Sequence, residues 1–475
     1  AYDTETRGRK PKSRANILKA ILFAFSLGIK STREIEDLCK HDTRFMFLLD
    51  QIDPPSHTTI NQVINSLIYN IDDVLIEINQ RIINHDQEVN PNIVYIDGTK
   101  LEANANKYTF VWKKAILKFK DKLIQKIIRY LPRLNEVLVN HNYLMIDAKD
   151  NYSTDELLTI LIQLKQIINQ EGISFVYGKG KRKEELQRLF DVFEEYYQKM
   201  IEYKHHLEII GERRNSYSKT DRDATFMRMK DDHMKNGQLK PGYNLQISTN
   251  NQFIVNYTHH PNPTDTTTLV PHLEEHKRLY QALPEVAVAD AGYGSEENYA
   301  YLEQHEAGNF LKYNTFYQDT HHYRDAAVLR AHQFRAENFG YDPQTDTFIC
   351  PAKKHLHFAY VSRYVSDNGF VSDRRNYECF DCEHCPLRQQ CTKAKGNRKI
   401  RISFRLMEYR RQARENLTSQ EGQRLRVARS TEVETVFGHL KHNMGFRRFH
   451  LRGLEKVKTE WGLLSIAHNM QKLAG

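Results

Sequence analysis

Asp97 and Asp290 each close a short apolar run rich in β-branched residues, NIVYID and VAVAD. Glycine follows at once in the first case (Gly98) and one residue later in the second (Gly292). In an open α/β sheet, ligands sit at the carboxyl ends of the strands, so two such carboxylates would share one crevice. An Asp-Gly pair after a strand is also an ordinary turn, and either aspartate alone carries little weight. A third acid, Glu434, lies in RSTEVETVFGHLKHNMGFRRFHLRG, with Gly438 and Lys441 four and seven residues further on. On a continuous helix these three share a face, and Gly438 would let that face approach a sheet closely. The plain alternative is a solvent-exposed pair. Three carboxylates in one place repel each other unless a cation neutralises them, and oxygen-only donors suit Mg²⁺ or Mn²⁺. Two such ions would serve an in-line phosphoryl transfer, with Lys441 holding a phosphate beside the cut.

A second cluster is built of sulfur. Of six cysteines, Cys39 stands alone and Cys350, Cys379, Cys382, Cys385 and Cys391 fall within one segment. That is not a disulfide framework spread through a secreted fold. Two overlapping C-x-x-C spacings and two further thiols suit a structural tetrahedral zinc site, with free or redox-active thiols as the alternative.

The elements that must position these groups are legible in part. ANILKAILFAFSLGI reads as a helix closed by Gly28. STREIEDLCK opens on a Ser31-x-x-Glu34 capping box, and PSHTTINQVINSLI is capped by Ser56 or Thr58. Several short helices near one end suit a helix-turn-helix unit or a plain packing module. After the first strand, WKKAILKFKDKLIQKIIRYLPR is amphipathic. Lys114, Lys118, Lys122, Lys126, Arg129 and Arg133 form one stripe, and Ile116, Phe119, Leu123, Ile127 and Tyr130 the other. A stripe of one sign with a single acid, Asp121, fits a phosphate-tracking surface better than a solvated face. Helix is expected to continue from about Thr154 to Arg213. YNLQIST and QFIVNYT then form a hairpin about Asn250-Asn251, and strands alternate with helices through VAVAD and EENYAYLEQH. Asp265 is expected as a helix N-cap. Asp221, Asp223, Glu102, His259 and His260 are expected to lie solvated at the surface, and Trp112 and Trp461 to be core rather than base-stacking groups.

The 475 residues allow about three domains. Lys+Arg exceed Asp+Glu by 69 to 60, which suits a polyanionic partner without requiring one. No stretch reaches a membrane span, no signal peptide is visible, and a cytoplasmic protein associated with DNA is expected. The chain opens on AYDTETRGRKPK without Met, leaving room for residues before Ala1.

The chain resembles the DDE transposases of bacterial insertion sequences, in the subgroup with an N-terminal helix-turn-helix region and a cysteine-rich insert. The resemblance is carried by GRKPKSRANILKAILFAFSLGIKSTREIEDLC, YIDGTKLEANANKYTFVWKK, DATFMRMKDDHMKNGQLKPGYNLQIST, VAVADAGYGSEENYAYLE, YECFDCEHCPLRQQC and VETVFGHLKHNMGFRRFHLRGLEKVKTEWGLLSIAHNMQKL. It implies an α/β multidomain protein with an RNase H-like mixed-sheet core, in which Asp97, Asp290 and Glu434 bind magnesium. Lys441 matches a Tyr-x2-Arg-x3-Glu-x6-Lys signature in which Val427 and Ser430 replace the Tyr and Arg; Arg429 lies next door as a substitute. CEHCPLRQQC resembles the family's Cys-x-x-Cys-Pro segment, implying zinc on Cys350, Cys382, Cys385 and Cys391, with Cys379 as the alternative.

The expected order is therefore an all-α DNA-binding domain (1–90), the first part of the core (91–110) and a helical insertion (111–219). The second part of the core (220–317), the cysteine insert (318–400) and a catalytic helix with basic tail (401–475) follow. The expected partners are double-stranded DNA, at inverted-repeat ends and target, and a second copy when ends are paired. DNA contacts are expected from the stripe and from Lys100, Arg429, Arg447, Arg448 and Arg452. The rivals are a nuclease of the same fold without strand transfer and a DNA-binding derivative without catalysis.

Overall fold

The computed structural model describes residues 13–50, 53–85, 88–178, 180–229, 237–320 and 332–474. The first twelve residues of the expected N-terminal domain, and 321–331 of the expected cysteine insert, lie outside the described residues.

The central sheet is organised by β1 (Ile93–Glu102), which is buried without interruption from Val94 to Thr99. Its further strands include β2 (Leu239–Asn250), β3 (Phe253–His260), β4 (Val286–Ala289) and β5 (Gly308–Leu311), in the spatial order β3-β2-β1-β4-β5. β1 and β4 run parallel, with Ile93 opposite Val286 and Ile96 opposite Ala289, and β5 extends the parallel set. β2 is antiparallel to β1, and β3 returns antiparallel to β2. The hairpin turn falls on Asn251-Gln252, one residue later than expected, with φ of 47° and 60°. Asn250 stays in the ladder because its side chain donates to Ile93 O (2.7 Å) and accepts from Asn90 N (2.8 Å), joining the hairpin to β1.

Five helices precede the sheet: Arg14–Ser26, Thr32–His41, Thr43–Leu49, His57–Ser66 and Ile71–His85. Ser31 and Ser56 accept backbone N–H groups as N-caps, and Gly28 takes a positive φ just past the first helix. The C-terminal helix Leu454–Ala474 packs on Arg14–Ser26, on Ile71–His85 and on β3. It is buried all round over most of its middle, including Trp461, so it behaves as a core helix rather than an amphipathic surface one.

Residues Ala105–Met227 with Leu239–Pro241 make a second compact unit. Helices Lys113–Asn140, Thr154–Gln170 and Glu185–Ile210 share a core of Leu, Ile, Phe and Tyr side chains. The first helix runs through Pro132, beyond its expected end. The expected continuous helix from Thr154 onward is broken instead, because GISFVYGKGKRK carries Gly172, Gly178 and Gly180 at positive φ. Ser153 and Glu156 form the capping box that restarts helix at Thr154.

The cysteine-bearing segment, whose strand period is weak, folds as a second antiparallel sheet. It comprises β6 (Gly340–Asp342), β7 (Thr347–Ile349), β8 (His355–Val365), β9 (Val371–Cys379) and β10 (Lys399–Ile402), in spatial order β10-β9-β8-β7-β6. Its small core joins Phe348, Leu356, Tyr377, Ile400 and Ile402 to Cys379 and Cys382.

Gly462 marks the tightest crossing of the C-terminal helix. A Cβ there would lie 2.3 Å from Ile71 Cγ1 and 2.4 Å from the Tyr257 hydroxyl. Gly462→Ala gains about 1 kcal/mol of helix propensity, and overpacking a buried contact costs about 1–3 kcal/mol. Both neighbours belong to packed elements, so the steric term wins and the variant should melt below the unmodified protein. A melting temperature equal or higher would show that the crossing can relax.

Candidate functional site

The register of β1 and β4 sets the site. Ile96 and Ala289 are parallel partners, so Asp97 and Asp290 are the next residues on adjoining strands. Asp97 is buried, and its Oδ1 accepts the Gly98 N–H at 2.8 Å. Asp290 caps the short turn Ala291–Tyr293 and accepts the Gly292 N–H at 2.8 Å. Gly98 lies inside β1 opposite Gln246, not in the turn expected after Asp97, whereas Gly292 lies in a turn; both donate to the carboxylate before them.

Asp265 comes to the same place, and sequence reasoning placed it wrongly. Thr264 is the residue preceding the helical turn Asp265–Thr267. The Asp265 carboxylate accepts from Asn244 Nδ2 (2.9 Å) and Gln246 Nε2 (3.1 Å), two fully buried amides on β2. A Cβ on Gly98 would sit 2.9 Å from Asp265 Oδ1, and one on Gly292 would sit 3.6 Å from its Oδ2. The signal is the alternation of Asn244, Gln246 and Ser248 with Tyr243, Leu245 and Ile247 along a strand that is buried on both faces. Tyr293 lies among these acids, with its hydroxyl donating to Gln246 Oε1. Burial raises its pKa well above the ordinary value, and the charges of Asp265, Asp97 and Asp290 add to the effect while Arg429 opposes it.

Arg429 arrives from helix Gln420–Arg429. Its Nη1 stands 3.7 Å from Asp97 Oδ2, and both side chains are nearly buried. Expected among the DNA-contacting residues, it is turned inward, where Nε and Nη1 make no hydrogen bond. Glu432 ties the same stretch to the hairpin by accepting the Gln252 N–H at 2.6 Å; burial raises its pKa. Between them these two side chains fix the helix against the sheet.

Glu434 is exposed, at the end of a π-helical stretch, Ser430–Glu434. One α-turn follows (Thr435–Gly438), then a second π-helical stretch (His439–Asn443) containing the half-buried Lys441. A π-turn holds more residues than an α-turn, so the simple face shared by Glu434, Gly438 and Lys441 does not carry over. Gly438 faces open space, contrary to the expected close approach. Further on, Arg448 Nε donates to Ala103 O (3.2 Å) and Arg452 Nε to Asn104 O (2.7 Å), just beyond the end of β1. Arg447 is exposed and Lys100 half-buried. In the second unit, Lys114, Lys118, Lys122, Lys126, Arg129 and Arg133 are all exposed, and Arg133 is paired with Glu185.

His259 and His260 are half-buried, and desolvation lowers the pKa of both, His260 to about 4. Asp221 is buried rather than solvated, Asp223 is exposed, and Trp461 is core as expected. Cys350, Cys379, Cys382, Cys385 and Cys391 all line one small cavity. Cys350 opens a tight turn, with Lys353 N–H on its carbonyl (2.8 Å), and Cys382 Sγ accepts the Arg398 N–H at 3.4 Å. Burial pushes the Cys379 thiol up to about 11, with Cys382 and Cys350 adding. Among the described residues, no group of three or more His, Cys, Asp or Glu is arranged to hold a metal ion.

A family model described as transposase DDE domain matches residues 349–474, and one described as transposase domain (DUF772) matches residues 1–66. These two matches support a DDE transposase of an insertion sequence. The matched spans contain Glu434, Lys441 and the five clustered cysteines, while Asp97, Asp265 and Asp290 lie between them. No curated protein and no solved structure matches the chain. A transposase DDE domain implies DNA as partner and a general dependence on divalent metal. No helix among the described residues is long and apolar enough to cross a membrane.

Gly98→Ala tests the packing of this site. The new Cβ would also meet the Gln246 amide at 2.4 Å, so Asp265 or β2 must shift. Denaturation should show a loss of about 1–3 kcal/mol. Unchanged stability would mean that Gln246 and Asp265 can move aside.

Proposed function

We propose that this chain cleaves DNA at the inverted-repeat ends of an insertion sequence and joins the freed 3′-hydroxyl to target DNA, on an RNase H-like core. The observation that carries the reading is the placement of Asp97 and Asp290 on adjoining parallel strands, in a sheet ordered β3-β2-β1-β4-β5 with β2 antiparallel. The two family matches support the same activity class.

The donor set fits a hard divalent cation. Asp97 and Asp290 offer oxygen alone, and the nearly buried guanidinium of Arg429 beside Asp97 supports a place that favours positive charge. Asp97, Asp290 and Glu434 would hold magnesium or manganese, in two ions. Bound there, the metal supplies the charge that activates the attacking oxygen and stabilises the leaving one. The chain's own part is to hold the oxygen donors in register and to balance Asp97 with Arg429. Lys441 would grip a DNA phosphate. The N-terminal helices, read as a helix-turn-helix unit, the basic stripe, Lys100, Arg447, Arg448 and Arg452 would track the duplex. A homodimer would hold paired ends. The five thiols around one cavity suit structural zinc on Cys350, Cys382, Cys385 and Cys391, with Cys379 as the alternative.

Asp97→Asn, Asp290→Asn and Glu434→Gln should each lower end cleavage and strand transfer by orders of magnitude while DNA binding persists. Chelation should reproduce the loss, and Mn²⁺ should restore activity. Near-normal cleavage by one variant removes that residue from the site; near-normal cleavage by all three overturns the mechanism. Cleavage without joining of a pre-cut end would indicate a nuclease instead.

Protein purified without added zinc should contain one equivalent by metal analysis. Cys382→Ser with Cys385→Ser should abolish it and lower the melting temperature. Zinc-free protein whose five thiols all react freely would refute the assignment.

A further inference from the structure

The β8–β9 ribbon is exposed where a sheet of this size would normally be covered. Near its base, Leu356, Tyr377 and Cys379 are buried in the cysteine module. Along its outer half, Phe358, Tyr360, Val361, Tyr364, Val365 and Val371 are 40% to 56% exposed. The connecting tip is pinned. Ser366 Oγ donates to Glu297 Oε2 (2.8 Å), and Asn368 Nδ2 donates to Glu297 Oε1 (2.9 Å) and to Thr267 O (3.2 Å). Phe370 packs against the core of the central sheet. Held at both ends, the ribbon forms a preorganised surface rather than a loose hairpin. Thr267 lies two residues after Asp265, and Glu297 is the second residue of the helix that follows the Asp290 turn. The ribbon therefore reaches the rim of the carboxylate crevice.

One face has a particular chemistry. The cross-strand pairs Tyr360 with Asn376, Ser362 with Arg374 and Tyr364 with Ser372 alternate onto the same side. None of these six residues is acidic. The Arg374 guanidinium lies 3.8 Å from the Tyr364 ring centre, and its Nε is buried without a hydrogen-bond partner. Aromatic rings stack on any base, and an adjoining guanidinium offers charge and donors to a phosphate.

We infer that this face is a stacking platform for unpaired DNA bases beside the carboxylate crevice. The inference rests on the proposed action on DNA, and adds that the strand near the cut is held partly unpaired. Tyr360 and Tyr364 take base faces, and Arg374 steadies Tyr364 and meets the backbone. The opposite side of the ribbon, with Val361, Val365 and Val371, is where a second copy would dock if the ribbon served assembly instead.

The test uses the full chain, with chelator present so that binding is read without cleavage. The probes are a blunt duplex of mixed sequence and the same duplex carrying a single-stranded thymidine arm with one 2-aminopurine. The unmodified protein should prefer the armed duplex and change the 2-aminopurine fluorescence. Tyr360→Ala with Tyr364→Ala should reduce that preference roughly tenfold or more, the scale of losing base stacking, and leave blunt-duplex affinity within about twofold. Tyr360→Phe with Tyr364→Phe should retain both the preference and the signal, which separates stacking from general damage. Equal binding of both probes by the unmodified protein overturns the inference, as does an undiminished preference in the alanine variant. A change of oligomeric state in light scattering, with the preference intact, assigns the ribbon to assembly. Asp97→Asn should keep the arm preference, so a failed cleavage mechanism and a failed platform give different results.

Discussion

Parallel pairing of β1 with β4 is the constraint on which the rest of the core depends. Two apolar strands nearly two hundred residues apart in sequence must meet in one register, because a shift by one residue would exchange the faces of their side chains. When Ile96 lies opposite Ala289, Asp97 within β1 and Asp290 just past the end of β4 come side by side. The chain that leaves β1 and returns as β2 can carry an insertion provided that this register survives. The compact helical unit inserted between β1 and β2 is accommodated in that way, as a separate core of its own.

A crevice of carboxylates is electrostatically unfavourable unless something balances it. Arg429 does so at Asp97 from one side, and the buried amides Asn244 and Gln246 hold Asp265 from β2. Two fully buried amides satisfied by one another and by a carboxylate are a costly arrangement to leave half-made, so they define where Asp265 points. The helix that brings Arg429 is fixed again at Glu432, whose carboxylate holds the backbone of the β2–β3 turn. The π-helical stretches on either side of Thr435–Gly438 then change which residues face the same way. Irregular helix of this kind recurs at functional sites because it re-aims side chains without breaking the element.

The cysteine-bearing sheet is small, and its core contains few large apolar side chains. A unit of that size commonly needs a further constraint, and five thiols lining one cavity are the chemistry available to supply it. The same sheet extends the ribbon that returns to Glu297 and Thr267, so the module is positioned by hydrogen bonds at the tip as well as by chain connection.

The sequence by itself determined the local elements. The capped N-terminal helices, the strand that ends before Asp290, the hairpin and the amphipathic basic helix all follow from periodicity, capping residues and turn residues, which act over a few positions; the first strand does not stop at Asp97-Gly98 but runs on to Glu102, because β2 pairs with it there. The clustering of five cysteines and the resemblance of separate motifs to one family were equally legible. Tertiary structure decided what local patterns cannot encode. Asp265 looks like a helix cap in one dimension; it faces the crevice because β2 presents two buried amides to it. Arg429 looks like a surface cation; it is turned inward because its helix lies over Asp97. Glu434 and Lys441 have helical spacing, yet their facing depends on two π-helical stretches that spacing alone does not reveal. The antiparallel sheet of the cysteine segment was hidden because its strands are held by cross-strand partners and a small shared core, not by strong alternation of their own. Register between distant strands, and the burial of polar groups that register creates, are properties of the assembled sheet.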